Sequence, residues 1–275
     1  MNPKTVLITG CSSGIGYHCA HALRQDGYRV LATARKAADV DRLRREGLES
    51  FRLDLDDSDS IREAVAQIES RTGGNLYALF NNGAYGQPGA VEDLSRDVLR
   101  AQFETNLFGT HELTNAVLPL MRRQGYGRII QNSSVLGFIA LRFRGAYNAS
   151  KYALEGLSDT LRLELTGSDI HISLIEPGPI RSRFRQNALA RFLENIDREH
   201  SPFRTEYVTK LEALRSEEDA PFTLSEEAVY RALRHALEAK KPRPRYRVTK
   251  PTTFFWYGKR LLPTRMLDRI LRRVE

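Results

Sequence analysis

Short runs of β-branched and apolar residues recur along this chain, and each is followed by a segment with helical periodicity. KTVLITG, YRVLATAR, ESFRLDL, LYALFNNG, GRIIQNSS and HISLIEPG read as buried strands, with PRYRVT as a weaker seventh. Between them, segments such as DSIREAVAQIESR and VLRAQFETNLFGTHELTNAVLPLMRRQG carry their apolar residues on one helical face. Strands that alternate with helices in this way pair in parallel, joined by right-handed crossovers that put helices on both faces. The expected fold is an α/β doubly wound parallel sheet of about seven strands. A chain of 275 residues can bury one substantial core, and no internal repeat or low-complexity linker divides it. One domain is expected over residues 1–250, with a basic amphipathic extension over 251–275.

The rhythm breaks after Gly178. Residues 181–224 are charged and only loosely periodic, and they leave the carboxyl end of a strand, where open α/β sheets bind ligands. They read as a helical substrate lid whose inner face would carry Phe184, Leu189, Phe192, Leu193, Phe203, Tyr207, Leu211 and Leu214. The alternative is that these residues are the buried stripe of extra helices.

The net charge of +8 suggests a nucleic-acid partner until it is located. Residues 240–275 hold twelve Lys/Arg against two Asp/Glu, so the tail carries +10 and residues 1–239 carry −2. A nucleic-acid enzyme would line its main domain with cations; none is expected as a partner here. In the tail, Met266, Leu267, Ile270, Leu271 and Val274 share one arc of a helix beginning near Pro263, opposite Arg265, Arg269, Arg272 and Arg273. Docking of that arc on the body is the expectation, and peripheral contact with an anionic membrane beside Phe254, Phe255 and Trp256 is the alternative. No apolar run reaches the roughly 18 residues of a membrane span, and MNPKTVLITG lacks the pattern of a signal peptide. The expected location is the cytoplasm. Cys11 and Cys19 suit neither a disulfide framework nor a zinc site, and the scattered histidines, His18 and His21 among them, show no ligand spacing, so no metal is expected.

TGCSSGIG follows the first strand and opens a helix. Gly10, Gly14 and Gly16 permit a tight turn, and with Ser12, Ser13 and Ile15 they would turn the free N–H groups of the helix start toward a pyrophosphate, as in Rossmann-type folds. The second strand ends ATARK, where such folds meet the adenosine ribose. A carboxylate there would repel a 2′-phosphate, whereas Ala34 and Arg35 offer none and one guanidinium, which favours NADP(H) over NAD(H). Asp54, followed by Leu55, either accepts from the adenine amino group or caps the next helix.

TGCSSGIG, Asp54, NNGA at 81–84, Asn106, Ser133 and Ser134, YNASK at 147–151 and EPGPI at 176–180 together resemble the ordered signature of the short-chain dehydrogenase/reductases. The resemblance covers residues 4 to about 180. It implies an oxidoreductase that passes a hydride between nicotinamide and an alcohol/carbonyl pair. By the same resemblance Tyr147 is the acid/base, Lys151 binds the nicotinamide ribose and lowers the tyrosine's pKa, and Ser134 holds the substrate oxygen. Asn106 supports a proton relay, while Ser133 is structural. Asn81, Asn82, Gly83, Pro177, Gly178 and Ile180 border the cofactor. The family's Asn-Asn-Ala-Gly reads Asn-Asn-Gly-Ala here, an exchange of two small residues. The long lid and basic tail resemble members acting on steroids, retinoids or long-chain alcohols and aldehydes, so an apolar small-molecule substrate is expected, and the family implies a homodimer.

Overall fold

A computed structural model describes residues 3–216 and 218–274. The chain runs β1 (Thr5–Ile8), α1 (Gly14–Gln25), β2 (Arg29–Ala34), α2 (Ala37–Arg45), β3 (Glu49–Arg52), α3 (Ser58–Thr72) and β4 (Ala78–Asn81). It continues through α4 (Arg96–Phe103), a π-helical turn (Glu104–Phe108), α5 (Gly109–Gln124), β5 (Tyr126–Asn132), α6 (Gly145–Glu164) and β6 (Asp169–Glu176). The last part is α7 (Phe184–Asn195), α8 (Arg204–Arg215), α9 (Glu227–Glu238), β7 (Arg245–Arg247), α10 (Lys250–Leu261) and α11 (Thr264–Leu271). The seven strands form one parallel sheet in the order β3-β2-β1-β4-β5-β6-β7.

The two-residue period of β1 divides the core. Val6 and Ile8 point into a cluster with Cys19, Leu23, Leu43, Val229 and Leu233, while Leu7 points the other way, among Ile61, Ile68, Leu113, Val117 and Met121. Burying each such aliphatic side chain is worth about 1.5–3 kcal/mol, which is why both sheet faces carry helices. Helix α3 starts at Asp57, whose carboxylate accepts from the N–H groups of Asp59 and Ser60, and stops at Gly73, in the left-handed region at φ 62°. Asp54 is therefore not the helix cap, because the cap lies three residues later. Cys11 and Cys19 are free and buried. Among the described residues no cluster of His, Cys, Asp or Glu is arranged to hold a metal, and no helix is long and apolar enough to cross a membrane.

The excursion after β6 is two regular helices, and most of its apolar residues take the bland course. Phe192, Tyr207 and Leu214 are buried with Ala90 and Phe143, Leu189, Phe203 and Leu211 pack around them, and Leu193 is exposed. Only Phe184 turns away, to a separate cluster around Tyr147. That cluster also receives the tail: Phe255 and Leu267 are buried in it, and Leu262, Ile270 and Leu271 pack against it, whereas Met266 and Val274 are exposed. Three of the five residues of the expected apolar arc thus dock on the body. Pro263 is the N-cap of α11, one residue before the helix proper.

Candidate active site

The strand order reverses between β1 and β4, and the loops after these strands meet there. The Thr9 hydroxyl accepts from the N–H groups of Asn82 and Gly83 at 2.9 and 2.8 Å, and the Asn82 amide donates to the Thr9 carbonyl at 2.9 Å. Gly10 has φ 71°, and a Cβ on it would stand 2.7 Å from Gly83 Cα. Gly16 packs just as tightly, since a Cβ there would meet the Gly10 carbonyl and the Asn82 amide nitrogen at once. Gly16→Ala is expected to cost about 1–3 kcal/mol, the usual penalty of overpacking, visible as a lower urea midpoint. Because Gly16 opens the first turn of α1, binding of nicotinamide dinucleotide measured by titration should weaken with it.

Several features of this loop fit a dinucleotide. Ser13 is the N-cap of α1 with extended backbone, but its hydroxyl makes no capping bond, so the first N–H groups of the helix keep their capacity for an anion. Gly14 adopts φ 58°. Ser12, Gly14 and Ile15 are part-buried at the same turn, and Arg42 of α2 donates to the Ser12 carbonyl at 2.6 Å. Arg35 is exposed just beyond β2. Part-buried Asp54 accepts from the Asp56 N–H, and Leu55 is buried beside Gly83. Asn81 departs from the expected placement: its side-chain amide donates to Thr114 at 2.9 Å inside the fold, leaving only its backbone near the cleft. Pro177 accepts from the Val135 N–H through its carbonyl, Gly178 abuts Thr249 at the root of α10, and Ile180 pairs with Leu224 while packing on the core.

Tyr147 and Lys151 lie one turn apart on α6, facing the carboxyl end of β5. The Lys151 ammonium donates to the Asn132 carbonyl at 2.7 Å and stands 5.7 Å from the centre of the Tyr147 ring. Tyr147 is buried with Leu136, Ile139, Phe255 and Leu267, and the Phe184 ring meets its ring edge-on at 5.3 Å. Burial pushes the phenol up to about 12, although the Ser134 hydroxyl and the Arg144 guanidinium pull it the other way. Burial likewise pushes the Lys151 ammonium down to about 8, against the attraction of Glu155. Burial of the ring thus outweighs the Ser134 hydroxyl and the single Arg144 guanidinium. Ser134 caps the short turn after β5 by accepting from the Leu136 N–H at 3.1 Å.

Asn106 occupies the π-helical turn before α5, an irregularity that helices often carry at functional sites. Its amide brackets the Tyr85 peptide, accepting from the N–H at 3.1 Å and donating to the carbonyl at 2.9 Å, and also donates to Ser150 at 3.2 Å. Ser150 in turn donates to the Tyr147 carbonyl at 2.9 Å, so Asn106 ties the β4 loop to the helix that carries the phenol.

One turn beyond Lys151, Glu155 accepts from Ser133 and from Arg245 of β7. The same guanidinium reaches Glu176 at 2.7 Å and Asp159 at 2.5 Å. Burial, and then the like charge of Glu176, pushes the Glu155 carboxyl up to about 7 despite Arg245. Sequence reading missed this cluster, and Arg42 and Ser150 as well. The signal for Asn132 was present in Asn-Ser-Ser, the residue just before the serine pair; its amide donates to the Asn82 side chain at 3.0 Å and so links the lysine to the glycine-rich loop.

Comparison with known proteins agrees with this fold. A family profile described as short chain dehydrogenase matches residues 4–191. An uncharacterized oxidoreductase of Escherichia coli, YbbO, is 44% identical over 98% of this chain and 94% of its own length. Human 17-beta-hydroxysteroid dehydrogenase type 1 is 37% identical over 72% of this chain and 63% of its own length. The crystal structure of a short-chain dehydrogenase from Streptomyces avermitilis superposes with a TM-score of 0.78 at 29% identity, over 98% of this chain and 94% of that one. With the profile spanning β1 to β6 and into α7, and a relative matching nearly end to end, this chain belongs to the short-chain dehydrogenase family of oxidoreductases.

Proposed function

We propose that the protein is an NADP(H)-dependent oxidoreductase acting on an apolar alcohol/carbonyl pair, of steroid, retinoid or long-chain type, with Tyr147 as the acid/base that protonates the carbonyl oxygen in the reductive sense. The observation that carries this reading is the convergence of Tyr147, Ser134 and Lys151 at the end of β5, with the phenol ring inside an apolar cluster. A bound nicotinamide would supply the hydride. The chain's own part is to hold the carbonyl oxygen between Ser134 and Tyr147, deliver the phenol proton to it, and keep water out with Phe184, Phe255 and Leu267. Lys151 is placed to hold the nicotinamide ribose, and Asn106 to keep α6 in register. The likeness to a hydroxysteroid dehydrogenase supports an apolar substrate.

The choice of NADP(H) rests on exposed Arg35 beside Lys36, with no acid at the end of β2. Arg35→Ala is expected to raise the Michaelis constant for NADPH by about one to two decades, the worth of a charged hydrogen bond, and to leave that for NADH nearly unchanged. Equal loss with both cofactors would remove the 2′-phosphate contact from this account. A screen of small polar to long apolar ketones and aldehydes with either cofactor tests the substrate class; preference for small polar carbonyls would overturn it. The proposed assembly is a homodimer, for which exposed Phe108, Leu157 and Leu163 around α5 and α6 offer apolar surface, and the proposed location is the cytoplasm.

A further inference from the structure

Helix α10 carries two apolar faces, and the fold uses one. Its inner side, Thr252, Phe255 and Gly258, is buried against the body, with Phe255 in the cluster around Tyr147. Its outer side presents Phe254, Tyr257 and Leu261, spaced i, i+3 and i+7 and exposed at 58%, 50% and 75%. Single exposed apolar residues are ordinary, but three in a row on one helix form a stripe. Trp256 flanks it, held between the guanidinium groups of Arg247 at 4.4 Å and Arg260 at 3.7 Å. Exposed Lys250 continues the stripe toward the start of the helix, and Lys259 and Arg260 are exposed near its end. Arg265, Arg269, Arg272 and Arg273 extend the positive field over α11, where Asp268 is the one acid among described residues 250–274.

We propose that the outer face of α10 docks on an anionic lipid bilayer, with Phe254, Tyr257 and Leu261 in the headgroup boundary and the surrounding cations on lipid phosphates. Aromatic rings beside Lys and Arg on an amphipathic helix suit that boundary. Each cation near an anionic surface is worth about five-fold in partitioning. The charge argues against a second copy of the chain, because residues 250–274 carry +6 and a symmetric contact would bring +6 against +6. A nucleic acid would satisfy the cations and leave Leu261, the most exposed of the three, without an apolar partner. Docking does not depend on the substrate assigned above. If that substrate is lipid-soluble, however, the membrane-facing helix is the one whose other side touches Tyr147.

The test is co-sedimentation of the full chain with phosphatidylcholine vesicles, with and without phosphatidylglycerol, at low and high salt. Expected is binding that needs the anionic lipid and is released by salt. The triple substitution Phe254→Ser, Tyr257→Ser, Leu261→Ser should weaken it by about ten-fold or more at an unchanged thermal midpoint. The pair Lys250→Glu and Arg260→Glu reverses two charges, a change of four, and should weaken it by several hundred-fold. Equal binding to neutral vesicles, no binding at low salt, or binding untouched by the triple substitution would overturn the proposal. So would a triple variant that changes only the oligomeric state, or duplex DNA that displaces the vesicles by binding this face more tightly.

Discussion

Tyr147→Phe should lower turnover by roughly 10²–10⁴-fold while leaving cofactor affinity close to that of the native protein, because it removes one proton donor and almost nothing else. The ring stays where the Phe184 edge and the Leu136–Leu267 cluster already hold it. Loss of the hydroxyl frees only the nearby Ser134 side chain, which keeps its bond from the Leu136 N–H. The defect should therefore fall on kcat and kcat/KM alike, the pattern of an interaction made in the transition state. Steady-state rates together with a cofactor titration separate this from a folding defect. A variant that keeps most of its turnover would refute the assignment of Tyr147 as proton donor.

The parts of this site that were legible in the sequence are those set by local spacing. YNASK places a phenol and an ammonium on one helical face whatever surrounds them, and TGCSSGIG announces a tight strand-to-helix turn. The alternation of β-branched and amphipathic runs likewise reads directly as a parallel doubly wound sheet. What stayed hidden depends on residues far apart in the chain. Arg245 is ninety residues from Glu155, and a Lys-Glu-Asp series spaced by four on α6 looks like a solvated helix face until β7 covers it. Asn81 read as a cofactor contact because its dipeptide is part of a motif, yet strand alternation turns the side chains of Asn81 and Asn82 to opposite sides. The tail's apolar arc was visible as a pattern, but which of its residues would dock depended on the shape of the Tyr147 cluster, and the outer stripe of α10 is separable from the inner one only when the body is in place.

The Arg245 cluster gives the largest expected effect on stability. Arg245→Met leaves Glu155 and Glu176 buried without their shared cation, and breaking a buried pair from one side costs about 3–5 kcal/mol. Glu176 is fully buried, so water cannot replace the guanidinium. The cluster also gives stability a pH dependence. Glu155 is pushed from its ordinary 4.5 up to about 7 in the folded protein. Between those values the native state holds a proton that the unfolded chain has released, so this contribution is full below about 4.5 and is lost as pH rises to about 7. Glu176 shifts in the same direction. Lys151 acts oppositely at higher pH: pushed down to about 8, it is neutral in the fold while still charged in the unfolded chain, so stability recovers above that value. Glu155→Gln should flatten the first limb down to the part that Glu176 carries and, by removing a carboxylate near Lys151, move the second limb to lower pH, since the amide can turn its oxygen to Arg245 and donate its N–H to Ser133. The check is the urea midpoint of both proteins at intervals from pH 5 to 9. Parallel profiles would show that Glu155 does not carry the proton, and a native-like midpoint for Arg245→Met would show that the three carboxylates do not depend on the guanidinium between them.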